Sequence, residues 1–113
     1  MAVKISLNEL PMQPHQKFSG VKVGYVITKE KHPELSIIIM ELDPGVEIPL
    51  HTHEKEVDSI FIVEGEGEIY IENNWQIVKK GDILAIGAKE LHGLKAKGQT
   101  PLKCYVVHAP ALW

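Results

Sequence analysis

"GVEIPLHTHEKEVDSIFIVEGEG", Gly45 to Gly67, sets two of the chain's six histidines one residue apart, beside a run of acids and just ahead of a hydrophobic segment. In extended backbone, residues i and i+2 point to the same side, so His51 and His53 present their imidazoles together. One strand chelates one metal ion in that way. Two solvated histidines beside Glu54, Lys55 and Glu56 would read the same. Asp58 shifts the balance. It opens the strand "SIFIV" (Ser59 to Val63) and shares a face with Ile60 and Ile62, while Ser59, Phe61 and Val63 share the other. If the first face is interior, the acid needs a cation, and a metal supplies one. Imidazole suits zinc, iron, nickel and copper; a carboxylate in the set moves the preference to iron or manganese.

Outward from this stretch, strand signals dominate. "VKVGYVI" (Val21 to Ile27), "LSIIIMEL" (Leu35 to Leu42), "EIYIE" (Glu68 to Glu72), "WQIV" (Trp75 to Val78), "DILAI" (Asp82 to Ile86) and "LKCYVVHA" (Leu102 to Ala109) are short, β-branched or aromatic, and bounded by turn formers. Asn73 and Asn74 can take positive φ and close a tight hairpin. No stretch beyond residue 20 carries helical periodicity, so the chain reads as all-β, a sandwich or a small barrel. Residues 21–113 read as one domain. Residues 1–20, with prolines in "PMQPH", read as an arm that can exchange between two subunits.

At 113 residues the chain can bury a core without disulfides or a structural metal, and Cys104, its one cysteine, allows no internal disulfide. Twelve basic residues against fifteen acidic ones, interspersed, argue against nucleic acid and anionic membrane as partners. The longest apolar run, Ile37 to Met40, is far too short for a membrane span, and "MAVKISLNEL" has no secretion-signal core. These features predict a soluble, cytoplasmic protein.

His92, in "GAKELHGL", lies far along the chain and joins the other histidines only in the right fold. Here the chain resembles the cupin family. Gly45, His51, His53, Asp58 and Gly65 match that family's first motif in register, with Asp58 where glutamate is usual. Gly81 and His92 match the second, with Gly87 in place of proline, Lys89 in place of glycine and Ala96 where asparagine is common. The resemblance spans Leu35 to Ala109 and implies a small cupin-type β-barrel (jelly roll, double-stranded β-helix), whose edge strands and apolar outer sheet surface a homodimer would cover. It also implies one divalent transition metal per chain on His51, His53, Asp58 and His92. Iron or manganese is favoured, with zinc, nickel and copper as alternatives. Asp58 is one methylene shorter than glutamate, which leaves three histidines plus water as the other reading of the site.

Cupins of this size resemble dioxygenases, isomerases and decarboxylases of small oxygenated metabolites. The expected ligand is therefore a small molecule bound at the metal. The alternatives are a sensing module without turnover and a structural barrel with a vestigial site. His108 and Tyr70 are the candidate catalytic residues. His108 shares a face with Leu102, Cys104 and Val106 and serves as acid, base or hydrogen-bond partner if that face is interior; otherwise it marks a fraying strand end. Tyr70 and Tyr25 line the pocket or pack outside it. Cys104 reads as a small buried hydrophobe. His15 and His32 read as solvated, and Trp75 and Trp113 as rings that can bury in a neighbouring subunit. The absence of arginine disfavours strongly anionic substrates.

Overall fold

Period-two burial runs through the strands that decide the architecture. The computed structural model describes residues 2–113, so Met1, the first residue of the expected arm, lies outside the described residues. Ten strands follow a 3-10 turn at Leu7–Glu9: β1 (Gln13–Pro14), β2 (Val21–Ile27), β3 (Ser36–Leu42), β4 (Glu47–His51), β5 (Val57–Glu64), β6 (Glu66–Ile71), β7 (Asn74–Lys79), β8 (Ile83–Ile86), β9 (His92–Lys97) and β10 (Leu102–Ala109). On β5, Asp58, Ile60 and Ile62 are buried while Val57, Ser59 and Phe61 are exposed. On β10, Leu102, Cys104, Val106 and His108 are buried. One pleated face of each strand supplies the interior.

The sequence reading omits β1, β4 and β9. Pro49 interrupts β4, and β9 carries Gly93, Lys95 and Lys97 instead of a β-branched run. Tertiary pairing overrides both signals. Pro49 is tolerated because β4 is an edge strand, where a missing N–H costs no ladder bond. The expected hairpin forms one residue early: Glu72 and Asn73 take φ of 50° and 67°, and Asn74 already pairs with Ile71.

Two antiparallel sheets result, one ordered β1-β2-β3-β10-β5-β8 and the other β4-β9-β6-β7. The expected barrel is corrected by this topology, because neither sheet closes on itself and no ladder joins the two. The chain leaves one sheet for the other at sharp corners, which end each ladder instead of carrying it round. Gly65, between β5 and β6, makes such a corner with φ of 87°, and a side chain there would run into the Pro101 carbonyl. The fold is thus an open two-sheet sandwich held by side chains, with Val23, Ile38, Leu42, Ile62, Ile69 and Leu102 at the centre of its core.

The amino-terminal segment docks on its own chain here. Gln13 and Pro14 pair with Val23 and Lys22, and Leu10 packs over Gly24, where a Cβ would meet it. Among the described residues, no helix is long and apolar enough to cross a membrane.

Candidate metal centre

A break in alternation turns His51 inward. Ile48 faces the core, so strict alternation would send Leu50 inward next; the register of β4 against β9 instead shifts between Ile48 and His51. Leu50 stays 43% exposed, and His51 stands opposite His92. Such bulges re-aim side chains beside functional sites. His53, two residues on, keeps the same side. The turn before β9 completes the frame: Lys89, with φ of 66°, donates its N–H to the His53 carbonyl at 2.7 Å. Lys89 thus holds a left-handed backbone that glycine would take without strain, at a cost of about 1–2 kcal/mol.

Asp58 is the centre of the cluster. Its Oδ2 lies 3.6 Å from His53 Nε2, 3.5 Å from His92 Nε2 and 3.3 Å from His108 Nε2. Burial by itself would raise the Asp58 carboxyl, but the His108, His53 and His92 imidazoles gathered around it outweigh burial and hold the group far below the usual carboxylate range. Burial pushes His92 down, yet Asp58 and the Glu90 carbonyl outweigh it and raise the imidazole. His51 is lowered, first by burial, against the pull of the Pro49 carbonyl, and then by its neighbours His92 and His53.

These histidines fit a metal ion. The Nδ1 atoms of His51 and His92 each lie 2.8 Å from a carbonyl, of Pro49 and Glu90 respectively. A carbonyl only accepts, so both Nδ1 atoms carry a proton and each ring in its neutral form keeps a bare Nε2 for a ligand bond, an orientation typical of metal-binding histidines. His92 Nε2 and Asp58 Oδ1 are buried without hydrogen-bond partners. A bare imidazole nitrogen beside a carboxylate oxygen repels it unless a proton or a metal ion lies between them. Ligand atoms of His51, His53 and His92 fall within 4.8 Å of one another, as do those of His53, Asp58 and His108. The nearby acids Glu54 and Glu56 belong to neither group.

The cluster sits in a cavity of about 320 Å³ whose walls include Ile38, Met40, Ile48, Ile60, Leu94 and Val106. His108 lines it and is 3% exposed, buried at the inner end of the β10 ladder. Tyr70 does not line it. Strand β6 turns Ile69 to the cavity and Tyr70 to the opposite face, where its ring meets Trp75 edge-on at 5.5 Å. Tyr25 packs against the core and the Trp113 ring.

The sequence reading misses the cavity's other aromatic wall. His15, Phe18 and Trp113 line the cavity, with the His15 ring 4.8 Å from Phe18 and 5.5 Å from Trp113. His15 is not merely solvated, and Trp113 buries against its own chain. The local signal is faint: His15 Nδ1 accepts from the backbone N–H of Lys17 and Phe18, a turn that "HQKF" only hints at.

The family model of the cupin domain matches residues 38–108, well over half of the chain. The chain is a cupin. It is 29% identical over 89 residues to an oxalate-binding protein of Thermotoga maritima, covering 77% of this chain and 74% of that one. It is 37% identical over 71 residues to 5-nitrosalicylic acid 1,2-dioxygenase of a Bradyrhizobium species, covering 63% of this cupin but 34% of the longer enzyme. A crystal structure of a predicted oxalate decarboxylase from Thermotoga maritima superposes with a TM-score of 0.84 at 26% identity, covering 97% of this chain and 99% of that one.

Proposed function

We propose that this cupin is a metal-dependent enzyme, of dioxygenase or isomerase type, acting on a small oxygenated compound that chelates one divalent ion. His51, His53 and His92, with Asp58 as the fourth donor, would hold that ion, iron or manganese by preference of a set containing a carboxylate. The observation that carries the reading is the convergence of bare imidazole nitrogens and a buried carboxylate at an apolar cavity. When bound, such an ion supplies Lewis acidity towards a carbonyl or enolate oxygen and, as iron, redox chemistry with dioxygen.

The chain's own residues select the substrate and keep the site dry. Ile38, Met40, Ile60 and Val106 exclude water from around the histidines, and Phe18 and Trp113 offer flat apolar surface to a ring. Oxalate has no apolar surface to set against these walls; a ring-sized phenolic or hydroxy-carbonyl compound has. Similarity to a nitrosalicylate dioxygenase supports that choice. Similarity to an oxalate-binding protein favours a second reading, binding without turnover. Exposed Ile5, Leu7, Phe61 and Tyr105 support a homodimer that covers them, which sedimentation would test.

Elemental analysis of untagged protein purified without chelator tests the metal. Near one equivalent, lost in His51→Ala and His92→Ala, supports the centre; metal indifferent to both substitutions overturns it. Loaded protein is then offered phenolic and hydroxy-carbonyl compounds under air, with oxygen uptake and product formation followed. Stoichiometric binding without product would replace the enzyme by a ligand-binding module.

A further inference from the structure

His108 differs from His51 and His92 in what its nitrogens meet. Those two donate Nδ1–H to backbone carbonyls. His108 Nδ1 is buried with no partner, and its Nε2 makes the shortest of the three histidine approaches to Asp58 Oδ2, at 3.3 Å. The two residues are directly opposite in the β5–β10 ladder, so backbone pairing holds them together. A carboxylate oxygen only accepts, so the neutral His108 ring carries its proton on Nε2. That is the reverse of a ligand imidazole, which must turn a bare nitrogen to the centre.

Asp58 stands where the longer glutamate is usual, and its reach must be recovered some other way. We propose that His108 is a positioning residue: through its Nε2–H it holds the Asp58 carboxylate towards His53 and His92 and so makes the shorter acid serve as the centre's fourth donor. A carboxylate oxygen has two lone pairs, so accepting from His108 leaves one for an ion. This role rests on the metal reading given above.

The test is a double-mutant cycle on the dissociation constant for manganese(II), measured by competition with a fluorescent chelator. His108→Leu is expected to weaken binding about 10-fold or more, as loss of an outer partner does, while His108→Gln, whose amide keeps an N–H in reach, stays within about 3-fold of the parent. In an Asp58→Ala background, His108→Leu should change nothing further. An equal loss in both backgrounds would overturn the proposal, because His108 would then act on the ion or the fold directly. No loss in the single variant would also overturn it.

A second readout needs no metal. In metal-free protein, the ¹⁵N shifts of His108 should report a proton on Nε2. The Nδ1–H tautomer would sink the pairing with Asp58. Failure of the parent to bind any ion removes the metal reading and the positioning role with it, and the tautomer then shows by itself whether the pair exists.

Discussion

Two cross-strand pairs on the same β5–β10 ladder, Ile62 with Cys104 and Asp58 with His108, are both buried and yet have opposite chemistry. Ile62 and Cys104 are 0% exposed within the apolar core; Asp58 and His108, at 5% and 3%, leave polar atoms without hydrogen-bond partners. Each buried polar atom left unpaired costs about 1–3 kcal/mol. One ladder therefore carries stability at one end and a stored demand for a ligand at the other. What separates them is their surroundings: Ile62 and Cys104 lie within the apolar cluster, whereas His51 of β4 and His92 of β9, on the neighbouring sheet, come to the second region.

The largest effect expected from that contrast is on stability with metal. Manganese at about 1,000 times its dissociation constant should stabilise the protein by about 4 kcal/mol, read as a rise in the urea midpoint. The gain should vanish in His92→Ala, and a gain that survives would break the distinction between the two ends. Next comes the apolar pair: Ile62→Ala should cost about 3 kcal/mol in urea unfolding and leave metal stoichiometry unchanged. Loss of metal there would mean that the core end also shapes the centre.

Cys104 sharpens the comparison by its inertness. Burial, with the charge of Asp58 behind it, pushes its thiol up to about 12. A raised pKa keeps the thiol protonated across the neutral range, so a thiol reagent at about pH 8 should label native protein only at the rate of opening. Prompt labelling would place Cys104 with the reactive end. The smallest effect concerns the turn that ties His53 to the second motif. Lys89→Gly, relieving a left-handed lysine against the entropy of glycine, should stabilise by about 0.5 kcal/mol without altering metal affinity. A loss of affinity would show that the lysine side chain takes part.

Which face each residue takes was legible wherever a strand alternates cleanly. Asp58, Ile60 and Ile62 were read onto one face of β5, and Leu102, Cys104, Val106 and His108 onto one face of β10, because the pleat that sets side-chain direction is a local property. The pairing of His51, His53 and His92 was legible from motif spacing. Tyr70 was not: apolar residues at Ile69, Tyr70 and Ile71 leave the parity of β6 open, and contact with the core chose Ile69.

By itself the sequence determined that the chain is all-β, that it carries the cupin histidines and that Asp58 shares a strand face with Ile60 and Ile62. Only the tertiary structure decided that the sheets stay open, that a bulge at Pro49 and Leu50 turns His51 inward, that His15, Phe18 and Trp113 wall the cavity, and that His108 stands opposite Asp58. Alternation and spacing are written in neighbouring residues. Register, edges and cavity walls depend on which distant strands come to lie side by side, and that is set by the packing of the whole core.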